Sequence, residues 1–415
     1  MTGTDRVVEH ATCLGCGCAC DDITVVVKGK RIAGARNACA LGLAWFGDGT
    51  VPADTRSGGR KATLETALTD AAKLLAGAKR ALIYLAADLS CETQREAVAI
   101  ADQLRAVLDS PTSEIAPAIL AAQRRGRAGA TLGEIRQRAD FLVFWGVDPA
   151  ERYPRYASRY AVDPAGLQAP HGRGSRRVIA VDVGADRGPA DADARVAIAL
   201  KDEVDTLAVM RATVLEHAGE EAEPLQRAAD LARQMMKARY VALVHDAEPS
   251  EQPSDPGRAE ALIALAQALN GPTRCALSTL RAGGNRSGAD AVLTWQTGFP
   301  FAVDFARGYP RYRPHDDAAA LLARGEIDAA LVIGSPASIP ARVASALGKV
   351  PSVAIGPRAS TARFRPAIAI DTGVAGIHEG GMAFRMDDVP LPLAAPLEGP
   401  ASSLAVIRAL GSRLR

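Results

Sequence analysis

The chain has 415 residues, of which 48% are hydrophobic, 23% charged and 4% aromatic, with a formal net charge of +2. That length exceeds one comfortable domain and predicts two or three, while the near-neutral balance argues against nucleic acid or an anionic membrane as the main partner. No run of about 18 apolar residues occurs, so no membrane span is expected. The opening MTGTDRVVEHATC lacks the apolar core of a secretory signal. A cytoplasmic setting is the expectation, where thiols stay reduced and clustered cysteines point to metal or redox use rather than to disulfides.

Residues 1–60 read as a small unit of their own. They hold five of the seven cysteines: Cys13, Cys16, Cys18 and Cys20 in CLGCGCACDD, and Cys39 in NACALG. Between them, residues 23–27 (ITVVV) are β-branched and strand-like, Lys28-Gly29-Lys30 is a turn, and residues 31–33 return as a second strand. This hairpin can fold Cys39 back onto the earlier cysteines. Residues 52–60 are polar and glycine-containing and read as a linker.

From residue 62 the rhythm changes to helices alternating with short apolar runs. Leu64, Leu68, Ala71, Leu74 and Leu75 follow helical spacing, and ALIYLA (81–86) is a strand covered on both faces. Residues 92–108 read as one helix, and 118–125 and 131–138 as short ones. Residues 140–146, 178–182 and 196–200 read as strands. A helical stretch over 204–236 leads to a strand at 241–244 and a helix at 260–269. Cys275 falls in a mixed loop, and residues 282–314 look irregular. Helix 318–324, strand 329–333, helix 338–347 and strands 352–355 and 367–370 follow. A Pro-rich segment (389–400) precedes a last helix at 403–410. The alternation predicts an α/β protein with parallel sheets and helices on both faces. The expected partition is a cysteine-rich region at 1–60, α/β domains at 61–200 and 201–390, and a tail at 391–415.

Cys13-x2-Cys16-x3-Cys20 with Cys39 beyond the hairpin offers four soft thiolates, a set suited to a [4Fe-4S] cluster or tetrahedral zinc. Zinc sites usually use two close pairs, and Cys39 stands alone. Cys18 is the spare. The same residues also read as small buried groups on a loop, or as a vestigial site. Cys91 heads a helix and reads as structural, and Cys275 as packed. The six histidines are scattered, without an H-x-x-x-H or H-x-H pair. No Walker A or G-x-G-x-x-G sequence follows a strand. Gly-Gly-Asn-Arg-Ser-Gly (283–288) is either a phosphate cradle or a flexible loop, the loop being favoured. Arg307, Arg311 and Arg313 beside Tyr309 and Tyr312 suit an anionic ligand or a solvated loop.

Six stretches carry a family resemblance: CLGCGCACDD, ATLGEIRQRADFLVFWGVDP (130–149), YPRYASRY (153–160), VLTWQTGFPFAVDFARGYPRY (292–312), ARGEIDAALVIGS (323–335) and EGGMAFRMDDVPLPL (379–393). With them the chain resembles the B subunit of the formylmethanofuran dehydrogenases, molybdenum or tungsten enzymes related to the dimethyl sulfoxide reductase group. The resemblance implies an N-terminal iron–sulfur region and α/β domains that clasp a bis-pterin cofactor. In the family a Cys or selenocysteine ligates the metal, followed by His and Gly-Pro. The best-matching stretch here is Thr112-Ser113-Glu114-Ile115-Ala116-Pro117-Ala118. Glu114 then stands at the metal-ligand position and Ile115 at the histidine. Tyr156 stands where a His is common, while Arg307 matches an arginine that the family places near its active centre.

The lost ligand directs the resemblance to the formyltransferase/hydrolase complex of methylotrophic bacteria. It implies a scaffold B subunit without its own redox activity and without tungsto- or molybdopterin. The complex converts formyl-tetrahydromethanopterin to formate through a methanofuran-like carrier. The implied partners are a formyltransferase, an amidohydrolase-like subunit and the other subunits, with the carrier in the complex. No nucleic acid and no membrane is expected. Cys13, Cys16, Cys20 and Cys39 are the implied [4Fe-4S] ligands, in a site that is either occupied or a relic. The alternative is an active tungsten- or molybdenum-pterin dehydrogenase subunit.

Overall fold

In strand Ala81–Leu85 every residue is buried, and the alternation of its side chains sends Leu82 and Tyr84 to one face and Ile83 and Leu85 to the other. Both faces must therefore be covered, and helices cover them. The computed structural model describes residues 5–217, 219, 223, 225–250, 252 and 255–415. The chain forms two units, Met1–Ser113 with Gly283–Arg415, and Glu114–Ala282.

The first unit is built on a nine-stranded sheet. Its five central strands, Val107–Asp109, Ala81–Leu85, Ala329–Ile333, Ser352–Gly356 and Ile368–Asp371, are parallel. Helices Leu64–Ala76, Cys91–Leu104, Arg286–Thr297 and Ser403–Leu414 pack on the Ile83 face, and Ala318–Ala323 and Ala341–Leu347 on the Tyr84 face. Each fully buried Leu or Ile in these layers contributes about 1.5–3 kcal/mol from burial. Ser90 caps helix Cys91–Leu104 by accepting from the Thr93 N–H, and its own hydroxyl donates to Glu379 at 2.7 Å. A three-stranded antiparallel sheet, Arg6–Ala11, Ile23–Lys28 and Arg31–Arg36, carries the predicted hairpin.

In the second unit a sheet runs Ala194–Ile198, Arg177–Val183, Phe141–Trp145, Val241–Asp246, Cys275–Leu280, all parallel. From Phe141–Trp145 the chain winds outward to one edge, then crosses back to lay Val241–Asp246 on the other side. The strand order thus reverses between Phe141–Trp145 and Val241–Asp246, and crevices for ligands form at the carboxyl ends of strands around such a switch point. Among the described residues no helix is long and apolar enough to cross a membrane.

The parallel α/β character agrees with the sequence reading; several local expectations need correction. The linear partition 1–60, 61–200, 201–390, 391–415 differs from the observed units, because Ala81–Leu85 pairs with Ala329–Ile333 across the whole of the second unit. The segment read as a linker supplies strand Thr55–Ser57, whose remote partner is Ile368–Asp371, and most of strand Arg60–Lys61, which pairs back on Thr55–Ser57. The helix read over 92–108 stops at Arg105, in the left-handed conformation, and gives way to Val107–Asp109. The stretch read over 204–236 holds two helices, Glu203–Val214 and Leu225–Lys237. Cys275 opens a strand rather than lying in a loop. The tail is part of the first unit's core through Val406, Ile407 and Leu410.

Candidate functional site

The cysteine loop follows directly on strand Arg6–Ala11. The Cys13 N–H donates to the Cys20 carbonyl at 2.9 Å and Ala19 N–H to Cys16 at 3.1 Å, so the loop closes on itself. The Cys13 sulfur accepts from the Gly15 N–H at 3.3 Å. Cys39 stands immediately before the short helix Ala40–Phe46, with no capping bond from its side chain. Gly42 on that helix is where the two segments meet: a Cβ there would lie 3.3 Å from the Cys13 sulfur and 4.0 Å from that of Cys39. The absence of a side chain lets both sulfurs approach.

All seven cysteines are free thiols. Burial pushes the Cys13 thiol up to about 12, with the neighbouring thiols of Cys16, Cys20 and Cys39 acting in the same direction and the Gly15 N–H opposing them. Cys16, Cys20 and Cys39 thus lie close enough to Cys13 to act on its thiol. Cys18 is fully buried and hydrogen-bonded to Cys16, which raises its pKa further than burial alone. The Cys13 and Cys18 thiols stay protonated at neutral pH unless a cationic centre supplies the charge that favours thiolate. Among the described residues no three His, Cys, Asp or Glu side chains are placed to share a single metal ion. The Zn–S distance of about 2.3 Å demands a tighter cluster of sulfurs.

The Gly-Gly-Asn-Arg-Ser-Gly segment is not a flexible loop. It opens helix Arg286–Thr297, inside the stretch read as irregular. The Asn285 backbone is engaged on both sides: its N–H donates to Ala87 at 2.7 Å, and its carbonyl accepts from Gln94 at 3.2 Å. The fully buried Asn285 side chain donates to the Leu89 carbonyl at 2.6 Å and accepts from the Phe384 N–H at 2.7 Å. Gly284 packs directly on Leu14 of the cysteine loop.

Glu114 and Ile115 lie at the end of the helical turn Pro111–Ile115. Ile115 is buried, Glu114 half-buried, and both line a cavity of about 230 Å³ in the second unit. Tyr156 is fully buried and its hydroxyl meets Ser278 Oγ at 2.8 Å. Arg307 lies in an exposed turn of the first unit. Arg313 is paired with Asp316, and Tyr312 stacks on Phe299 with ring centroids 5.1 Å apart, so this segment is ordered by its own contacts. A second cavity, of about 680 Å³, sits in the first unit beside Ser335, Arg358 and Phe364.

Sequence reading missed a group in the smaller cavity. Trp145 Nε1 and Arg258 Nε both donate to Glu203 Oε1, at 2.8 and 2.7 Å. His245, buried, reaches Thr279 Oγ1 through Nε2 at 3.0 Å. Burial, reinforced by the Arg258 charge, lowers its pKa to about 3 and keeps the imidazole neutral. Arg152 and Tyr153 hold Asp246, at 3.0 and 3.1 Å. The available signal was position: His245 and Asp246 end a strand of a parallel sheet.

Fold and loop together define a parallel-sheet α/β protein with a four-thiol N-terminal module. The chain is 32% identical to the B subunit of tungsten-containing formylmethanofuran dehydrogenase 2 from Methanocaldococcus jannaschii, over 96% of each. It is 30% identical to the protein of the same description from Methanococcus maripaludis, again over 96% of each. A chain in the X-ray structure of the formyltransferase/hydrolase complex from Methylorubrum extorquens with methylofuran superposes with a TM-score of 0.72 at 27% identity, covering 87% of this chain and 98% of that one. No protein-family model matches the chain. The chain belongs to the family of formylmethanofuran dehydrogenase B subunits.

Proposed function

We propose that this chain is the scaffold B subunit of a formyltransferase/hydrolase complex, with the redox step of its family lost. The complex would convert formyl-tetrahydromethanopterin to formate through a methanofuran-like carrier, in the cytoplasm, in one-carbon metabolism. Its partners would be a formyltransferase, an amidohydrolase-like subunit and the remaining subunits. The fold would be a degenerate dimethyl sulfoxide reductase-like one. The observation that carries the reading is the pair Glu114 and Ile115. By the resemblance, a half-buried carboxylate and a buried aliphatic side chain stand where the family has its metal ligand and histidine. Soft-metal ligation and proton transfer both lose their group there. The cavity these residues line also carries Asp186, Glu203, Asp246 and Glu248. Those carboxylates would repel the pyrophosphate of a pterin placed there, which supports the reading.

The thiol loop is a separate matter. Cys13, Cys16, Cys20 and Cys39 would be the ligands of a cubane cluster, a reading supported by their spacing and by the influence of the other three thiols on Cys13. Such a cluster would supply one-electron transfer, which a scaffold does not need. The competing reading is an active tungsten- or molybdenum-pterin dehydrogenase subunit, favoured by the tungsten-containing relatives and by Arg307. Metal and pterin analysis of the intact complex separates the two. The scaffold reading expects no stoichiometric tungsten, molybdenum or pterin and no viologen-linked formyl oxidation; stoichiometric metal-pterin overturns it.

A further inference from the structure

The amino end of the second unit's sheet carries a cleft of about 460 Å³ that the proposed function does not use. Three guanidiniums line it, those of Arg127, Arg138 and Arg274, with Glu134 as the one carboxylate among the described lining residues. Strands Val241–Asp246 and Cys275–Leu280 pair in register from Val241 opposite Cys275, and the Val241 N–H donates to the Arg274 carbonyl at 2.8 Å. Tyr240 and Arg274 therefore stand side by side just ahead of two strands about 4.8 Å apart. Glu134 and Arg138 share a face of helix Leu132–Arg138, being four residues apart. Tyr240 meets that face: its hydroxyl is hydrogen-bonded to Glu134, and the Arg138 charge acts on it. Arg138 and Arg274 thus both neighbour one tyrosine. Arg127 is folded over Gly129, also in the lining, with its Nε 3.2 Å from where a Cβ on that glycine would stand.

The frame of the cleft is held by its own hydrogen bonds. The Ala128 carbonyl accepts from the Leu277 N–H at 2.6 Å, and the Asn270 side chain donates to the Cys275 carbonyl at 2.7 Å and accepts from its N–H at 3.2 Å. The charge balance then selects the ligand. Burial pushes the Cys275 thiol up to about 12. Burial, with the Glu134 charge, also raises the Tyr240 hydroxyl well above its ordinary value, so both groups are neutral at pH 7. Arg138 and Arg274 are exposed, and no carboxylate among the described residues lies within ion-pair distance of either. The lining therefore carries an excess of positive charge that favours an anion with more than one negative charge. Guanidinium forks match the paired oxygens of phosphate and carboxylate. At about 30 Å³ per liquid water, the cleft holds roughly fifteen non-hydrogen atoms, enough for pyrophosphate or citrate.

We infer that this cleft binds a small, multiply charged oxyanion of the diphosphate or polycarboxylate class, which bridges the guanidiniums of Arg138 and Arg274 beside Tyr240. The site goes beyond the scaffold role and does not depend on it.

Calorimetric titration of the purified full-length chain at low ionic strength tests it, with sodium pyrophosphate and sodium citrate as the probes. Sodium chloride and putrescine dihydrochloride serve as comparisons. At least one of the two anions should bind with a Kd of about 1 mM or tighter, weakening as salt is raised, and the tighter of the two identifies the class. Arg138→Gln and Arg274→Gln should each weaken that anion about tenfold. Arg233→Gln, on helix Leu225–Lys237 and outside the cleft, should leave it unchanged. Arg138 and Arg274 are exposed, so these substitutions spare the core, and circular dichroism and melting midpoints should match the parent. A Kd weaker than about 1 mM for both anions, unchanged affinity in either folded cleft variant, or an equal loss in Arg233→Gln would overturn the inference.

Discussion

Gly284 lies against Leu14 with no space between them for a side chain: a Cβ on Gly284 would fall 2.5 Å from the Leu14 Cβ and 2.9 Å from its Cα. The start of helix Arg286–Thr297 is thereby clamped on the cysteine loop, although 270 residues of sequence separate the two positions. Replacement by alanine forces backbone apart rather than a flexible side chain. Gly284→Ala should destabilise the chain by about 1–3 kcal/mol, read from denaturant unfolding, and should expose the buried thiols to a thiol reagent faster than in the parent. Parent-like stability with parent-like labelling would remove the clamp.

The cysteine loop gives a second expectation. Anaerobic reconstitution with iron and sulfide should produce the visible charge-transfer absorption of an iron–sulfur cluster. Cys39→Ser should abolish it, since Cys39 is the thiol supplied by the second segment. Cys18→Ser should retain it, because Cys18 is hydrogen-bonded to Cys16 and lies outside the proposed ligand set. Iron and acid-labile sulfide near zero in all three proteins would make the loop a relic, and equal loss in both variants would place Cys18 among the ligands.

Asp109 sets a pH dependence of uncommon sign. It is fully buried and accepts from the N–H groups of Ser110, Ala302 and Ala318, at 2.9, 3.2 and 2.7 Å, and from the Ser113 hydroxyl. Burial outweighs these donors and raises its pKa from 3.8 to about 6. The folded state therefore holds this proton more tightly than the unfolded chain. The stabilisation is complete below the unfolded value and is lost as pH rises through about 6. Compared with Asp109→Asn, the parent should lose stability between pH 4 and 6.5 by about 2–3 kcal/mol, with a flat difference above that, measured by urea unfolding across the range. A parent that gains on the variant as pH rises would contradict the assignment.

Much of this was legible in the sequence, and for identifiable reasons. The fully apolar runs ALIYLA and FLVFW specify strands covered on both faces, because no other short element buries every side chain. Their alternation with helical spacing fixed the parallel α/β class. Thiol spacing marked the cysteine loop, a statement about side-chain chemistry that needs no coordinates.

Tertiary structure decided what depends on remote partners. Strands Thr55–Ser57 and Val107–Asp109 are too short and too polar in their surroundings to declare themselves; they exist because Ile368–Asp371 and Ala81–Leu85 supply the other half of their hydrogen bonds. The glycine–asparagine segment reads locally as a breaker, and only its contacts with Leu14, Leu89 and Phe384 turn it into a helix start. The insertion of the second unit between the paired strands Ala81–Leu85 and Ala329–Ile333 is equally invisible to composition. So is the meeting of Glu203, His245 and Arg258, which lie on three separate elements of the chain. Local propensity reports which side chains prefer burial; it carries no information about which distant acceptor will be left beside which donor, and that pairing made the cavity.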